Sequence, residues 1–299
     1  MIRVDTFTYS DLLRRLDGFD PWLRNLGLTP RLDDRLHQAF KILSMAEEAS
    51  RRGRETGVYS DIQPDHWFPI IEALEAHDVI CAFESDRSPY LSAAVKRALS
   101  GPAQPINEGP KNRDGRNVWF ELALAAEWRS RGADVSIEEP NLRLVRDDTT
   151  FLVACKRPDK QESIHANIRD AVEQLTENLG KAPEGVYGVA AISLTRVFNR
   201  GDKVFSGDLN ALETLLEKEL ENHSRYLRSV DDARICGIIF HVATPSNFER
   251  SVDLSRASYG IVQELNPSAG SSVLQKHVRD VRDAAKNREK PRDPRNPAS

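Results

Sequence analysis

Apolar residues recur at helical spacing through the first hundred positions of this chain, and no strand pattern interrupts them. Leu36, Phe40, Leu43 and Ala46 fall near a 3.6-residue period within Leu32–Ala49, and Trp67–Ala76 repeats the pattern. Asp20-Pro21, Thr29-Pro30 and Ser88-Pro89 each set a capping side chain before a proline, the signature of a helix start. Gly27 and Gly101 stand where helices should stop. An all-α region over residues 1–105 is therefore expected.

The pattern changes after 101–117 (GPAQPINEGPKNRDGRN), which has no periodicity and reads as a linker or an ordered loop. Asn117–Arg131 is helical in pattern and stops at Gly132. Short β-branched or apolar runs follow at Ala133–Ile137, Leu142–Val145 and Thr150–Cys155, the last two joined by the turn Arg146-Asp147-Asp148. A helix over about Glu162–Leu179, a strand in Val186–Leu194, a helix over Leu209–Leu227 and a strand in Ile235–Thr244 complete the order. Strands alternating with helices of this length predict an α/β layer. The expected division is a helical region 1–105, an α/β domain 106–270, and a C-terminal helix with a basic flexible tail over 271–299.

Composition narrows the classes. The 299 residues carry 42 Lys+Arg against 46 Asp+Glu, a formal charge of −4, which excludes a polycation and an acidic solvating tail. By segment the balance is 13 basic to 16 acidic over 1–100, 21 to 26 over 101–275, and 8 to 4 in the tail. Any nucleic-acid contact must then come from a local groove or the tail. Cys81, Cys155 and Cys236 are far apart, with no C-x-x-C, so neither a disulfide framework nor a zinc ribbon is expected. No apolar leader opens the chain, and no apolar run reaches the ~20 residues of a membrane helix. A reducing cytoplasm is the expected setting, with no membrane partner.

Glu121 is the unusual residue. Its i+3, i+4 and i+7 neighbours are Leu124, Ala125 and Trp128, and a carboxylate on an apolar stripe is costly unless paired. Glu127 reads instead as one half of a surface pair with Arg131. On the strand that ends at Lys156, alternation puts Ala154 and Lys156 on one face and Cys155 on the other. Glu138-Glu139-Pro140-Asn141 opens the preceding strand, with Glu139 and Asn141 sharing a face. A helix carboxylate, an acidic strand start and a strand lysine can thus meet at one sheet edge, where a hard cation such as Mg²⁺ finds oxygen ligands.

Taken in order, Phe120-Glu121-Leu122, Glu139-Pro140-Asn141-Leu142 and Phe151-Leu152-Val153-Ala154-Cys155-Lys156-Arg157-Pro158 resemble the PD-(D/E)XK, restriction endonuclease-like superfamily, over about residues 117–195. The resemblance implies a restriction endonuclease-like core of helix, three-stranded meander, helix and strand. It also implies metal-dependent phosphodiester hydrolysis with Mg²⁺ or Mn²⁺, acting on DNA or RNA. Glu121 and Lys156 fall on the family's helix Glu and strand Lys. Asn141 falls where the family has its metal-binding Asp, and Ala154 where it has the second acid. Glu121, Glu139 and Asn141 are the implied metal ligands; Arg157 and Gln174 are the implied substrate contacts. With two acids replaced, activity is expected to be impaired or lost. A natural pseudo-nuclease, migration of the acid to Glu138, Glu139, Asp147 or Asp148, and introduced substitutions all remain open. So does a non-catalytic scaffold for nucleic acid, for a protein partner or for a second copy, through the helical region. An unrelated α/β protein is the remaining alternative.

Overall fold

The computed structural model describes residues 2–56, 67–138, 142–201, 205, 209–246, 254–268 and 270–276. Its centre is a seven-stranded mixed sheet of order β1-β7-β6-β5-β4-β3-β2. The strands are β1 Ile2–Phe7, β2 Asp134–Ile137, β3 Leu142–Arg146, β4 Thr149–Lys156, β5 Val186–Ser193, β6 Ile235–Ser246 and β7 Leu254–Glu264. The helices are α1 Tyr9–Arg15, α2 Phe19–Asn25, α3 Arg35–Thr56, α4 Trp67–Ala82, α5 Pro89–Ala98, α6 Asp114–Arg129, α7 Ile164–Lys181, α8 Thr195–Phe198 and α9 Leu209–Leu227. The protein is α/β, as the alternating pattern predicts.

Local chemistry accounts for most boundaries. Ser88 caps α5, accepting from Leu91 N at 3.1 Å, and Pro89 takes the first turn, where a missing N–H costs nothing. Gly27, Gly101 and Gly132 have φ of +74°, +96° and +78°, and each ends a helix in the region that only glycine enters freely. Asp147 and Asp148, at φ 47° and 59°, form the two-residue hairpin turn between β3 and β4.

Three expectations are corrected. The N-terminal region is not all-α: residues 2–7 form β1, antiparallel to β7, and their alternation of β-branched with other residues was masked by the long helices after them. Asp20-Pro21 lies inside the first turn of α2, which starts at Phe19 with Gly18 before it. Thr29-Pro30 starts no helix: α3 begins at Arg35, its first turn closed by Gln38 N donating to Asp34 O at 3.0 Å. The tail beyond 276 lies outside the described residues.

The sheet is covered on both faces. Leu12, Leu23, Leu43, Leu91 and Trp128 from α1 to α6 share one apolar cluster with Phe151 and Val153 of β4. Ile164, Ile168, Leu175 and Leu216 from α7 and α9 pack with Ala154, Ala190 and Ile192 on the other face. The helices before residue 105 and the sheet thus form a continuous core. At the start of α6, an added Cβ on Gly115 would stand 2.0 Å from the Ser100 carbonyl oxygen. Gly115→Ala is therefore expected to cost about 1–3 kcal/mol through displacement of backbone, measured as a lower urea midpoint.

Among the described residues, no helix is long and apolar enough to cross a membrane.

Candidate functional site

Two hairpins bring β2 and β4 parallel to each other, and β4, β5 and β6 run parallel as neighbours. Their carboxyl ends therefore lie at one edge, the place where open α/β sheets take ligands. Lys156 ends β4 and Arg157 follows it; Arg196 lies on α8 just after β5.

The register confirms the parity of β4. Ala154 pairs with Ala190 and is fully buried on the face covered by α7 and α9. On that face Lys156 Nζ donates to Gln174 Oε1 of α7 at 2.7 Å, so two of the expected residues do meet. Cys155 points to the opposite face and packs against the α1–α6 cluster. Burial pushes its thiol well above the ordinary value, and the nearby Glu121 carboxylate adds to the shift. α6, which carries Glu121, packs in the same cluster as Cys155 on that side of β4, and the Lys156 ammonium reaches α7 on the other.

Glu139, Pro140 and Asn141 lie outside the described residues. Glu138, beside them, is exposed and accepts from Ser136 Oγ at 3.0 Å. Asp147 and Asp148 cannot take over the role of an acid at this edge. They sit at the far end of β4 from Lys156, roughly 25 Å away at about 3.3 Å per strand residue. A hard divalent ion needs several oxygen ligands, and Ala154 supplies none. Among the described residues no three His, Cys, Asp or Glu side chains are grouped to hold a metal, and Glu139 and Asn141 lie outside those residues.

What the edge does contain is a buried ionic network. Glu108, whose side chain has no exposure, is shared by three guanidiniums from separate elements. Arg116 of α6 donates to Oε1 at 3.0 Å, and Arg157 donates to Oε2 at 2.9 Å. Arg196 also donates to Oε2, and its Nη2 reaches the Glu108 carbonyl at 2.8 Å. Arg116 continues inward to Glu72 Oε1 at 2.7 Å, and Glu72 pairs with the fully buried Arg35. Arg35 and Arg116 anchor further on the carbonyls of Ala98, Pro102 and Ala103.

Electrostatics follow from this placement. Burial raises the Glu108 pKa, but the charges and hydrogen bonds of Arg157 and Arg116 outweigh it and hold the carboxyl below its usual range. Burial pushes the Arg35 guanidinium down to about 10, against the pull of Glu72. Because the folded-state pKa of Glu108 is depressed, its contribution to stability is complete above the unfolded value of about 4.3 and is lost as pH falls through the folded value. Below about pH 5 the melting temperature should therefore fall, and the fall should be shallower in Glu108→Gln.

Sequence reasoning missed this network. Glu108 stood in a Gly/Pro-rich stretch that reads as a linker, and nothing periodic marks its partners. Arg157, expected as a substrate contact at a strand end, has a side chain only 6% exposed and is turned onto Glu108. Glu127 does pair with Arg131, at 2.9 Å, but it is buried, and its Oε2 stands 4.0 Å from His241 Nε2 of β6.

Compared with known proteins, the chain matches no family profile and no curated sequence.

Proposed function

We propose that this chain is a nucleic-acid-binding protein on a PD-(D/E)XK-like core that does not hydrolyse phosphodiesters. The observation that carries the reading is the state of Ala154. The position where the resemblance requires the second acid is a packing position between β4 and α7, and the neighbouring lysine is engaged by Gln174. The order α6, β2, β3, β4, α7, β5, with β4 and β5 parallel, supports the core that the resemblance implies. Exposed Lys111, Lys160 and Arg200 lie on the loops that leave this edge and supply positive charge for a phosphate backbone.

Fluorescence anisotropy with labelled DNA and RNA tests binding, in chelator and over a salt series. Binding is expected to survive chelation, to weaken steeply with salt, and to fall in Lys111→Glu/Lys160→Glu. No binding to either nucleic acid at low salt would remove the nucleic-acid role. Cleavage with Mg²⁺ or Mn²⁺ that disappears in Lys156→Ala would remove the non-hydrolytic one.

A second reading, a protein scaffold working through the helical layer, is favoured by the exposure of Leu32, Met45 and Tyr90, at 88%, 61% and 55%. A partner or a second copy lost on Leu32→Ser/Tyr90→Ser, with nucleic-acid binding absent, would select it.

A further inference from the structure

Among the described residues, Arg35, Arg116, Arg157 and Arg196 bring four positive charges to two directly bonded carboxylates, Glu72 and Glu108, while Glu75 and Asp159 act on Arg35 and Arg196 from farther off. Buried charge is tolerated where it is paired, so an excess of this kind calls for a counter-charge. The excess gathers at the outer end, where the single Glu108 carboxylate serves three guanidiniums. Asp159 is the next acid outward, and it is 3.4 Å from Arg113. Arg157 uses only Nη1; its Nε and Nη2 make no hydrogen bond among the described residues.

The carboxylate that fills this place is carried by a loop rather than by a helix or strand. Pro105 and Glu108 are the buried residues between 101 and 110, and Ile106 and Asn107 between them are exposed. Pro105 rests against Gly201, where an added Cβ would meet its ring at 3.2 Å. Arg116 holds the start of the loop through the Pro102 and Ala103 carbonyls, and Glu108 ties its far end to the sheet edge through Arg157 and Arg196. Three guanidiniums converging from α6, the end of β4 and α8 make a geometry suited to a tetrahedral oxyanion, because each aims a charged N–H donor at one point from a different direction.

We propose that Arg116, Arg157 and Arg196 form an oxyanion site of the phosphate class, occupied here by the chain's own Glu108 as a displaceable plug. The site lies at the carboxyl edge of the parallel strands, and this inference does not depend on nucleic-acid binding. A free phosphate and a phosphate monoester share the chemistry that the site recognises.

Thermal unfolding of the full chain tests it, comparing inorganic phosphate and glycerol 2-phosphate with potassium chloride at matched ionic strength. In Glu108→Ala the vacated site is expected to take the added anion, raising the melting temperature by about 5 °C or more over chloride. The same anion should do much less for the unaltered protein, whose plug competes. It should do nothing specific for Glu108→Ala/Arg157→Ala. A response to both anions assigns a monoester ligand, and a response to inorganic phosphate alone assigns the free ion. If Glu108→Ala does not fold in chloride, refolding in phosphate is the readout, with Glu108→Asp as the milder variant. No phosphate-specific shift or rescue in either variant overturns the proposal, as does an equal shift in the double variant.

Discussion

Glu108→Gln is expected to lower the unfolding free energy by about 3–5 kcal/mol, the cost of removing one partner from a buried ionic cluster. The effect is large because the carboxylate is completely enclosed and three guanidiniums depend on it. Glutamine keeps the shape and one acceptor oxygen but leaves Arg116, Arg157 and Arg196 facing one another without the charge that offsets their repulsion. Since domains are commonly stable by about 5–15 kcal/mol, a loss of this size threatens the fold at 37 °C. Arg157→Met should cost less, because Glu108 keeps Arg116 and Arg196. Chemical denaturation measures both; a Glu108→Gln loss under about 1 kcal/mol would show that the cluster is solvated in solution.

Ala154→Glu, the change that would supply the acid expected from the PD-(D/E)XK resemblance, is expected to cost the protein about 5 kcal/mol and to yield no nuclease. Ala154 has no exposure and packs against Ile164 and Ile168 of α7, so a larger side chain overpacks a closed interface at about 1–3 kcal/mol. Burying its carboxyl adds several kcal/mol more. Desolvation would raise the folded-state pKa of the new glutamate above its unfolded value. The variant should therefore be least destabilised below about pH 4.3 and lose further stability as pH rises through the folded value. Ala154→Gln separates the two effects, since it keeps the volume without the titration. A stable Ala154→Glu protein that cleaves DNA with Mg²⁺ would reverse the reading and make the position part of an open catalytic cleft.

The α/β half was legible because each boundary has a local cause. Gly132 ends α6, the Asp147-Asp148 pair turns β3 into β4, and the two-residue alternation of β4 separates Ala154 and Lys156 from Cys155. Of the residues expected at the site, Lys156 meets Gln174, and Glu121 lies on α6, whose apolar residues share a cluster with Cys155 on the other face of β4. The rest depends on contacts with large sequence separation. β1 joins β7 across most of the chain, and a six-residue strand gains its meaning only from that partner. Glu127 looks like a surface pair until β6 brings His241 over it.

By itself, then, the sequence determined the order of the main helices and strands from α6 to β6, the faces of β4 and the α/β class, because hydrophobic period, capping residues and glycine turns act within a few residues of where they are written. Only the tertiary structure decided which charges are buried. Glu108, Arg116, Arg157 and Arg196 come from a loop, a helix, a strand end and a short helix, up to 88 positions apart. Their cost and their pairing arise from exclusion of water and from Coulomb attraction over a few ångströms, and neither has any period along the chain.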